Sequence, residues 1–185
     1  MLTARVNDRV MTDDEKLGMC FLLYVAGLDT VTNQLGFMFK HLAEYPEDQQ
    51  KLREQPELIS NAIEEFIRCY GIVNTVRTVT RDVNFYGVNM KSGDLIFLLA
   101  AFSGRDNEKF ENAATVDYMR KSQSHISFAA GPHRCAGSHL ARRELRIALE
   151  EWFARVPPFR VKDGETPRTG VGGVLSVFEL PIAWS

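Results

Sequence analysis

The sequence has few cysteines, no excess of charge of one sign and no long apolar run. Three cysteines in 185 residues, Cys20, Cys69 and Cys135, exclude a disulfide framework and a cysteine-rich zinc module, so reduced thiols and a cytoplasmic setting are expected. Lysine and arginine number 22 against 24 acidic residues, a formal charge of −2, which excludes nucleic-acid or membrane-surface binding through bulk charge. The most apolar stretch, residues 17–28, is about half the length that crosses a bilayer. Asp29 and Asn33 follow it, so a buried soluble helix is expected there rather than a membrane span. Residues 1–11 carry Arg5, Asp8 and Arg9 where the apolar segment of a secretory signal would lie. Internal repeats and low-complexity segments are also lacking. What is present, 45% hydrophobic and 10% aromatic residues, suffices for a sizeable core and is too apolar for a disordered chain.

Thr12-Asp13-Asp14-Glu15 reads as a capping box. Apolar residues at Leu17, Phe21, Val25, Leu28, Leu35, Phe39 and Leu42 follow at near-helical spacing, predicting one long helix that ends before Pro46. Pro46 and Pro56 stand where a first-turn proline is tolerated, and helices are predicted over residues 47–54 and 57–70. Residues 76–80 and 83–86 are rich in β-branched and aromatic side chains. Gly87 and Ser92-Gly93-Asp94 mark turns before the apolar run 95–99, which together predict one small antiparallel sheet. Residues 103–134 show no period, and a stretch of that length inside a domain is uncommon unless functional, so something must hold it in place. Residues 138–156 predict a helix with Leu140, Leu145, Ala148, Leu149 and Trp152 on one side, stopped by Pro157-Pro158. The tail, with Gly170, Gly172 and Gly173, predicts a glycine-hinged strand pair. The fold class is mainly α with small antiparallel β-sheets.

The most informative segment is Phe128-Ala129-Ala130-Gly131-Pro132-His133-Arg134-Cys135-Ala136-Gly137. It is a glycine-kinked loop that delivers a cysteine to the start of a helix, where backbone amides favour the thiolate that a metal requires. Gly131 and Gly137 let the backbone fold tightly around the sulfur and bring a flat cofactor close. This pattern of phenylalanine, glycine, histidine, cysteine and glycine resembles the haem-binding loop of the cytochrome P-450 family of haem-thiolate monooxygenases. On its own, Cys135 also reads as a buried structural cysteine, or as a nucleophile with His133 as base, although no orienting third group is evident.

Two further segments extend the resemblance. Ala26-Gly27-Leu28-Asp29-Thr30 puts a glycine, an acid and a hydroxyl inside an apolar helix, where glycine costs about 1 kcal/mol relative to alanine, so a locally imperfect helix is expected. It is similar to the family's oxygen-binding groove, in which the threonine hydroxyl is freed to hold O₂ and the adjacent acid relays protons. Alone, the segment also reads as a solvent-facing polar pair. Glu65-Phe66-Ile67-Arg68 is similar to the family's glutamate-x-x-arginine signature, a structural ion pair on one helix face that anchors the irregular stretch before the cysteine. The family's third, usually arginine, partner aligns with Thr115, with Arg120 as the alternative.

The resemblance runs along nearly the whole chain and looks closest to the camphor hydroxylase group of bacterial members. It implies that residues 1–185 form a single partial domain, the C-terminal half of the cytochrome P-450 fold, with the N-terminal half absent. It further implies haem b, iron protoporphyrin IX, with Cys135 as axial ligand and Phe128, Gly131 and Gly137 around it. Arg77 and His133 would bind the haem propionates, and Asp29 and Thr30 would handle protons and O₂. Leu22, Val25, Val73, Thr75 and Val174 would border the substrate, a small apolar camphor- or terpenoid-like molecule. Thr75 stands where the camphor enzyme has an acid that helps hold a propionate. A ferredoxin-type iron–sulfur donor would dock near Arg134, Arg142, Arg143 and Arg146, with no nucleic acid and no membrane as partner. The alternative from the same resemblance is a truncated fragment without catalytic turnover, acting at most as a haem- or partner-binding module. Apolar surface exposed by truncation then predicts self-association.

Overall fold

The chain opens on a two-residue hairpin turn. Strands β1 (Arg5–Val6) and β2 (Arg9–Val10) pair antiparallel around Asn7 and Asp8, whose φ angles of 46° and 61° give the turn preferred between twisted strands. The Asn7-Asp8 pair is the local sequence signal for this hairpin. The structure, a computed structural model, describes residues 3–121 and 124–184. Met1, Leu2, Ser122, Gln123 and Ser185, and so the two ends of the expected 1–185 unit, lie outside the described residues.

Helix α1 (Asp13–Glu44) starts where the capping box places it. The Thr12 hydroxyl accepts the Glu15 amide at 3.2 Å, and the Glu15 carboxylate accepts the Thr12 amide at 2.8 Å. Pro46 then occupies the first turn of α2 (Pro46–Glu54). The helix expected over 57–70 divides into a 3₁₀ turn, Pro56–Leu58, and α3 (Ile59–Cys69).

The next strands form two ladders rather than one sheet. Strand β3 (Asn74–Thr78) pairs antiparallel with β6 (Leu95–Leu99), with Val76 opposite Phe97. Strands β4 (Val83–Phe85) and β5 (Val88–Met90) pair only with each other. The physical reason is the turn at Tyr86 and Gly87, whose φ angles of 49° and 82° reverse the chain at once and hand β4 a neighbour in sequence. After a short helix α4 (Ala100–Ser103), the described residues form no further helix or strand before a 3₁₀ turn, Gly131–His133, and α5 (Ser138–Arg155). Strands β7 (Phe159–Val161), β8 (Arg168–Gly170), β9 (Ser176–Glu179) and β10 (Ile182–Trp184) follow. The expected strand pair of the tail is split between two partners: β9 pairs with β8, and β10 pairs with β7.

The core lies where the C-terminal half of α1 meets α3 and α5. Met38 and Leu42 of α1, Ile63 and Phe66 of α3, and Leu145 and Leu149 of α5 are buried together, with Phe39 packed on Trp152 at a ring separation of 4.7 Å. Buried Gln49 ties α2 to β7, because its side-chain amide donates to the Phe159 carbonyl at 2.9 Å and accepts the Phe159 amide at 3.0 Å. Arg53 donates to the carbonyls of Phe153 and Val156, both at 2.8 Å, and so satisfies groups at the end of α5.

The N-terminal half of α1 corrects an expectation. Residues 17–28 are exposed rather than buried, with Leu17 at 69%, Phe21 at 67% and Leu28 at 55% of full accessibility. The spacing is helical, as predicted, but no other part of the described chain covers this face. Leu140, placed on the inner side of α5 by periodicity, is likewise 61% exposed.

Candidate functional site

The cysteine loop is shaped by two left-handed backbone positions, Ala129 (φ 58°) and Gly131 (φ 64°). They turn the chain back so that the Cys135 amide donates to the Phe128 carbonyl at 2.9 Å and the Arg134 amide to the Gly131 carbonyl at 3.1 Å. Helix α5 begins three residues after the cysteine, with Gly137 as its N-cap residue. The Cys135 side chain is exposed, so it is not the buried structural cysteine considered above. A Cβ at Gly137 would lie 3.9 Å from the Cys135 sulfur, so that glycine keeps a side chain away from it, and the space beside Gly131 is open. Among the described residues no three His, Cys, Asp or Glu side chains gather as a protein-only metal site. A metal at Cys135 must bring its other ligands with it, as a haem macrocycle does, and the exposed sulfur in its open loop fits that group.

The Ala26–Thr30 segment departs from one expectation. The helix is continuous through it, and the Thr30 hydroxyl donates to the Ala26 carbonyl at 2.7 Å instead of being freed from the helix. A β-branched hydroxyl residue meets its i−4 carbonyl readily, and the donation leaves the oxygen's acceptor lone pairs open. Asp29 accepts from the Asn33 amide at 2.9 Å. Asn33, itself buried, accepts the Val177 amide at 3.2 Å, which ties this turn of α1 to β9.

The glutamate-x-x-arginine pair is the best-determined part of the site. Glu65 and Arg68 have no accessible side-chain surface and meet through two contacts, at 2.7 Å and 2.8 Å. Arg68 also donates to the carbonyl of Gly104, to that of Ala113 at 2.7 Å and to that of Thr115 at 2.9 Å. Glu65 accepts the Asp117 amide at 2.9 Å and Arg120 Nε at 3.1 Å. One buried ion pair therefore pins the irregular stretch at five points, from Gly104 to Arg120. Arg120 is the third partner, and Thr115, the aligned position, contributes its backbone carbonyl alone.

The remaining expected residues are spread over the surface. Arg77 is exposed on β3 and donates to the Val76 carbonyl at 2.9 Å. His133 is exposed in the 3₁₀ turn, and Leu22 and Val25 are exposed on α1. Val73 and Val174, a hundred residues apart in sequence, are brought together by a β-bridge that bonds from the Asn74 amide to Gly173 and from the Leu175 amide to Ile72 reinforce, both at 2.8 Å. Thr75 is half-buried beside them on β3. A charged cluster of Glu64, His125 and Arg142 behind the cysteine loop carries no sequence signal, since its members are 61 and 78 residues apart.

The half-buried Glu64 and the buried Glu65 respond to pH in one direction. Burial pushes the Glu64 carboxyl up, but hydrogen bonds from His125 and Arg142 outweigh it and hold the group down at about 2 against an ordinary 4.5. Burial also pushes Glu65 up, and the bonds from Arg68, the Asp117 amide and Arg120 again prevail and lower it. Both groups bind protons more weakly folded than unfolded, so their stabilisation is present above the ordinary carboxyl value of 4.5 and is lost as pH falls below it, for Glu64 as pH approaches about 2. The urea midpoint is expected to drop between about pH 5 and pH 3, and less steeply in Glu64→Gln. A midpoint constant over that interval contradicts the assignment.

Comparison with known proteins places these features. A family model described as Cytochrome P450 matches residues 1–57 and 55–169. The chain is 39% identical over 185 residues to the probable cytochrome P450 127A1 of Sinorhizobium fredii, which covers all of this chain and 45% of that protein. It is 34% identical to the biotin biosynthesis cytochrome P450 of Bacillus subtilis, again over all of this chain and 47% of the relative. The crystal structure of CYP101J2 superposes with a TM-score of 0.93 at 38% identity, covering 100% of this chain and 47% of that one. The chain thus spans about half the length of the curated relatives it matches.

Proposed function

Because the chain belongs to the cytochrome P450 family, whose members are haem-thiolate proteins carrying haem b, we propose that it is the haem-ligating half of a monooxygenase and that Cys135 would hold the haem iron through its sulfur. The fold resembles family structures over about half their length, and its order of elements, with the cysteine loop and α5 near the C-terminus, fits the C-terminal half. The observation that carries the reading is the exposed Cys135 sulfur three residues before α5, with no side chain beside it at Gly137.

When bound, the haem would supply the chemistry that takes up two electrons and two protons, places one atom of O₂ in a C–H bond and releases the other as water. The chain's own groups do the rest. Cys135 donates electron density from its thiolate. Arg77 and His133 are exposed cations suited to the charge-assisted bonds that propionates accept. Phe128, Gly131 and Gly137 border the group's cysteine side. Thr30 offers its open lone pairs as acceptors, and Asp29, fixed by Asn33, exchanges protons with solvent. Leu22, Val25, Val73, Thr75 and Val174 border a compact apolar substrate of camphor or terpenoid type. A ferredoxin-type donor docks on the arginine-bearing side of the loop, where Arg142 and Arg146 are already paired with Glu64 and Glu150, leaving Arg134 and Arg143 to meet it. No helix among the described residues is long and apolar enough to cross a membrane, in keeping with a cytoplasmic setting.

The bare apolar face of α1 favours a second reading, a fragment that takes up haem without turnover and self-associates through residues 17–28. Titration with haem, followed in the Soret region, is expected to saturate at one haem per chain, and absence of uptake refutes both readings. Product formation with a terpenoid and a ferredoxin donor then selects the monooxygenase, whereas uptake without product selects the fragment.

A further inference from the structure

Behind the cysteine loop, we propose that Arg142 is a positioning residue, clamped by Glu64 of α3, that fixes the backbone carrying Cys135. The inference rests on Cys135 being the haem ligand. Arg142 lies seven residues beyond the cysteine on α5. Its guanidinium meets both Glu64 oxygens, through Nε and through Nη2 at 2.9 Å, and Nη1 donates to the Ser138 carbonyl at 3.3 Å in the first turn of α5. The guanidinium carbon also lies 4.6 Å from the centre of the Phe128 ring. Phe128 is the residue whose carbonyl accepts the Cys135 amide. The connection is therefore continuous, from α3 through Glu64 to Arg142, from its planar face to the Phe128 ring, and from that residue's carbonyl to the cysteine.

The other side of the cluster closes the same way. His125 Nδ1 accepts the Ser127 amide at 3.2 Å, which leaves Nε2 to carry the proton and face Glu64 at 3.4 Å. The Ser127 hydroxyl donates to the Ile67 carbonyl at 2.8 Å, so the residue before Phe128 is anchored to α3 as well. A forked carboxylate contact and a stacked face are both properties of arginine and not of lysine, so the arrangement uses the guanidinium's shape as much as its charge. The side chains of Arg142 and Glu64 are 28% and 26% exposed, which sets them apart from the solvated pair Arg146 and Glu150 one turn further along.

The test compares the full chain with Arg142→Lys, Arg142→Met and Glu64→Gln. In haem-free protein, exchange of the Cys135 amide hydrogen with solvent is followed by NMR. Arg142→Met is expected to speed it about tenfold, since the Phe128 bond then opens locally, and Arg142→Lys to rescue it only in part. After haem loading and reduction under carbon monoxide, Arg142→Met is expected to move at least half of the absorbance from the thiolate to the thiol position, with Lys intermediate. Unchanged exchange and unchanged spectra in Arg142→Met overturn the proposal. Should that variant fail to fold, Glu64→Gln, which keeps the size of the partner, decides on the same two readouts. A parent chain with no thiolate band refutes the haem reading, while the exchange rates still decide whether the clamp exists.

Discussion

Arg68→Ala is expected to cost the chain about 4 kcal/mol or more, the scale for breaking a buried ion pair, and to leave it largely unfolded in urea concentrations that the parent tolerates. The reason is the number of groups that one guanidinium satisfies. Removing it strands the Glu65 carboxylate beside Arg120 and the Asp117 amide alone, and it withdraws donors from the carbonyls of Gly104, Ala113 and Thr115. Each buried carbonyl left without a partner adds roughly 1–3 kcal/mol. Whole domains are stable by only about 5–15 kcal/mol, so the loss is a large share of the total. Arg68→Lys should rescue little, because one ammonium cannot reach a carboxylate and three carbonyls in a planar fork. The approach is too close for repacking to help: a Cβ at Gly104 would stand 1.9 Å from the Arg68 carbonyl oxygen. Urea unfolding followed by circular dichroism measures the effect. A loss below about 1.5 kcal/mol, the net worth of an ordinary hydrogen bond, would show that the pair does not anchor the stretch.

The sequence was most legible where a local rule decides the structure. A capping box at Thr12, prolines at 46 and 56 and the double proline after α5 set helix limits to within a residue or two. Strand pairing was less legible because partner choice is made by turns. The left-handed pair at Tyr86 and Gly87 closes β4 on β5, and β10 finds β7 across more than twenty residues. Burial on α1 was not legible at all. Periodicity marks Leu17 and Leu42 alike as apolar positions, yet Leu42 is fully buried and Leu17 bare, since burial depends on what lies opposite. In the site, the residue types and spacing around Cys135 and within Glu65–Arg68 sufficed to find both features. The third partner of Glu65 did not follow from alignment, because the path of the irregular chain, not its register, brings Arg120 to the carboxylate.

Cys135→Ser is expected to have the opposite character to Arg68→Ala. The side chain is exposed, so its loss should leave stability within about 0.5 kcal/mol. The chemistry should change completely. A serine hydroxyl is not ionised at neutral pH and cannot take the place of a thiolate as a metal ligand. Among the described residues no other gathering of ligating side chains could hold a metal in its stead. The other two cysteines also fail as substitutes: Cys69 is buried, with burial pushing its thiol up, and Cys20 lies on α1, far from the loop in sequence.

Whether Cys135 is a thiolate ligand to haem is read from one spectrum. The 185-residue chain is loaded with haem, reduced under carbon monoxide and compared with Cys135→Ser treated alike. A Soret band at the position diagnostic of thiolate ligation is expected in the parent and is expected to be completely absent in the serine variant. A parent spectrum without that band, or a band that survives the substitution, would contradict that ligation.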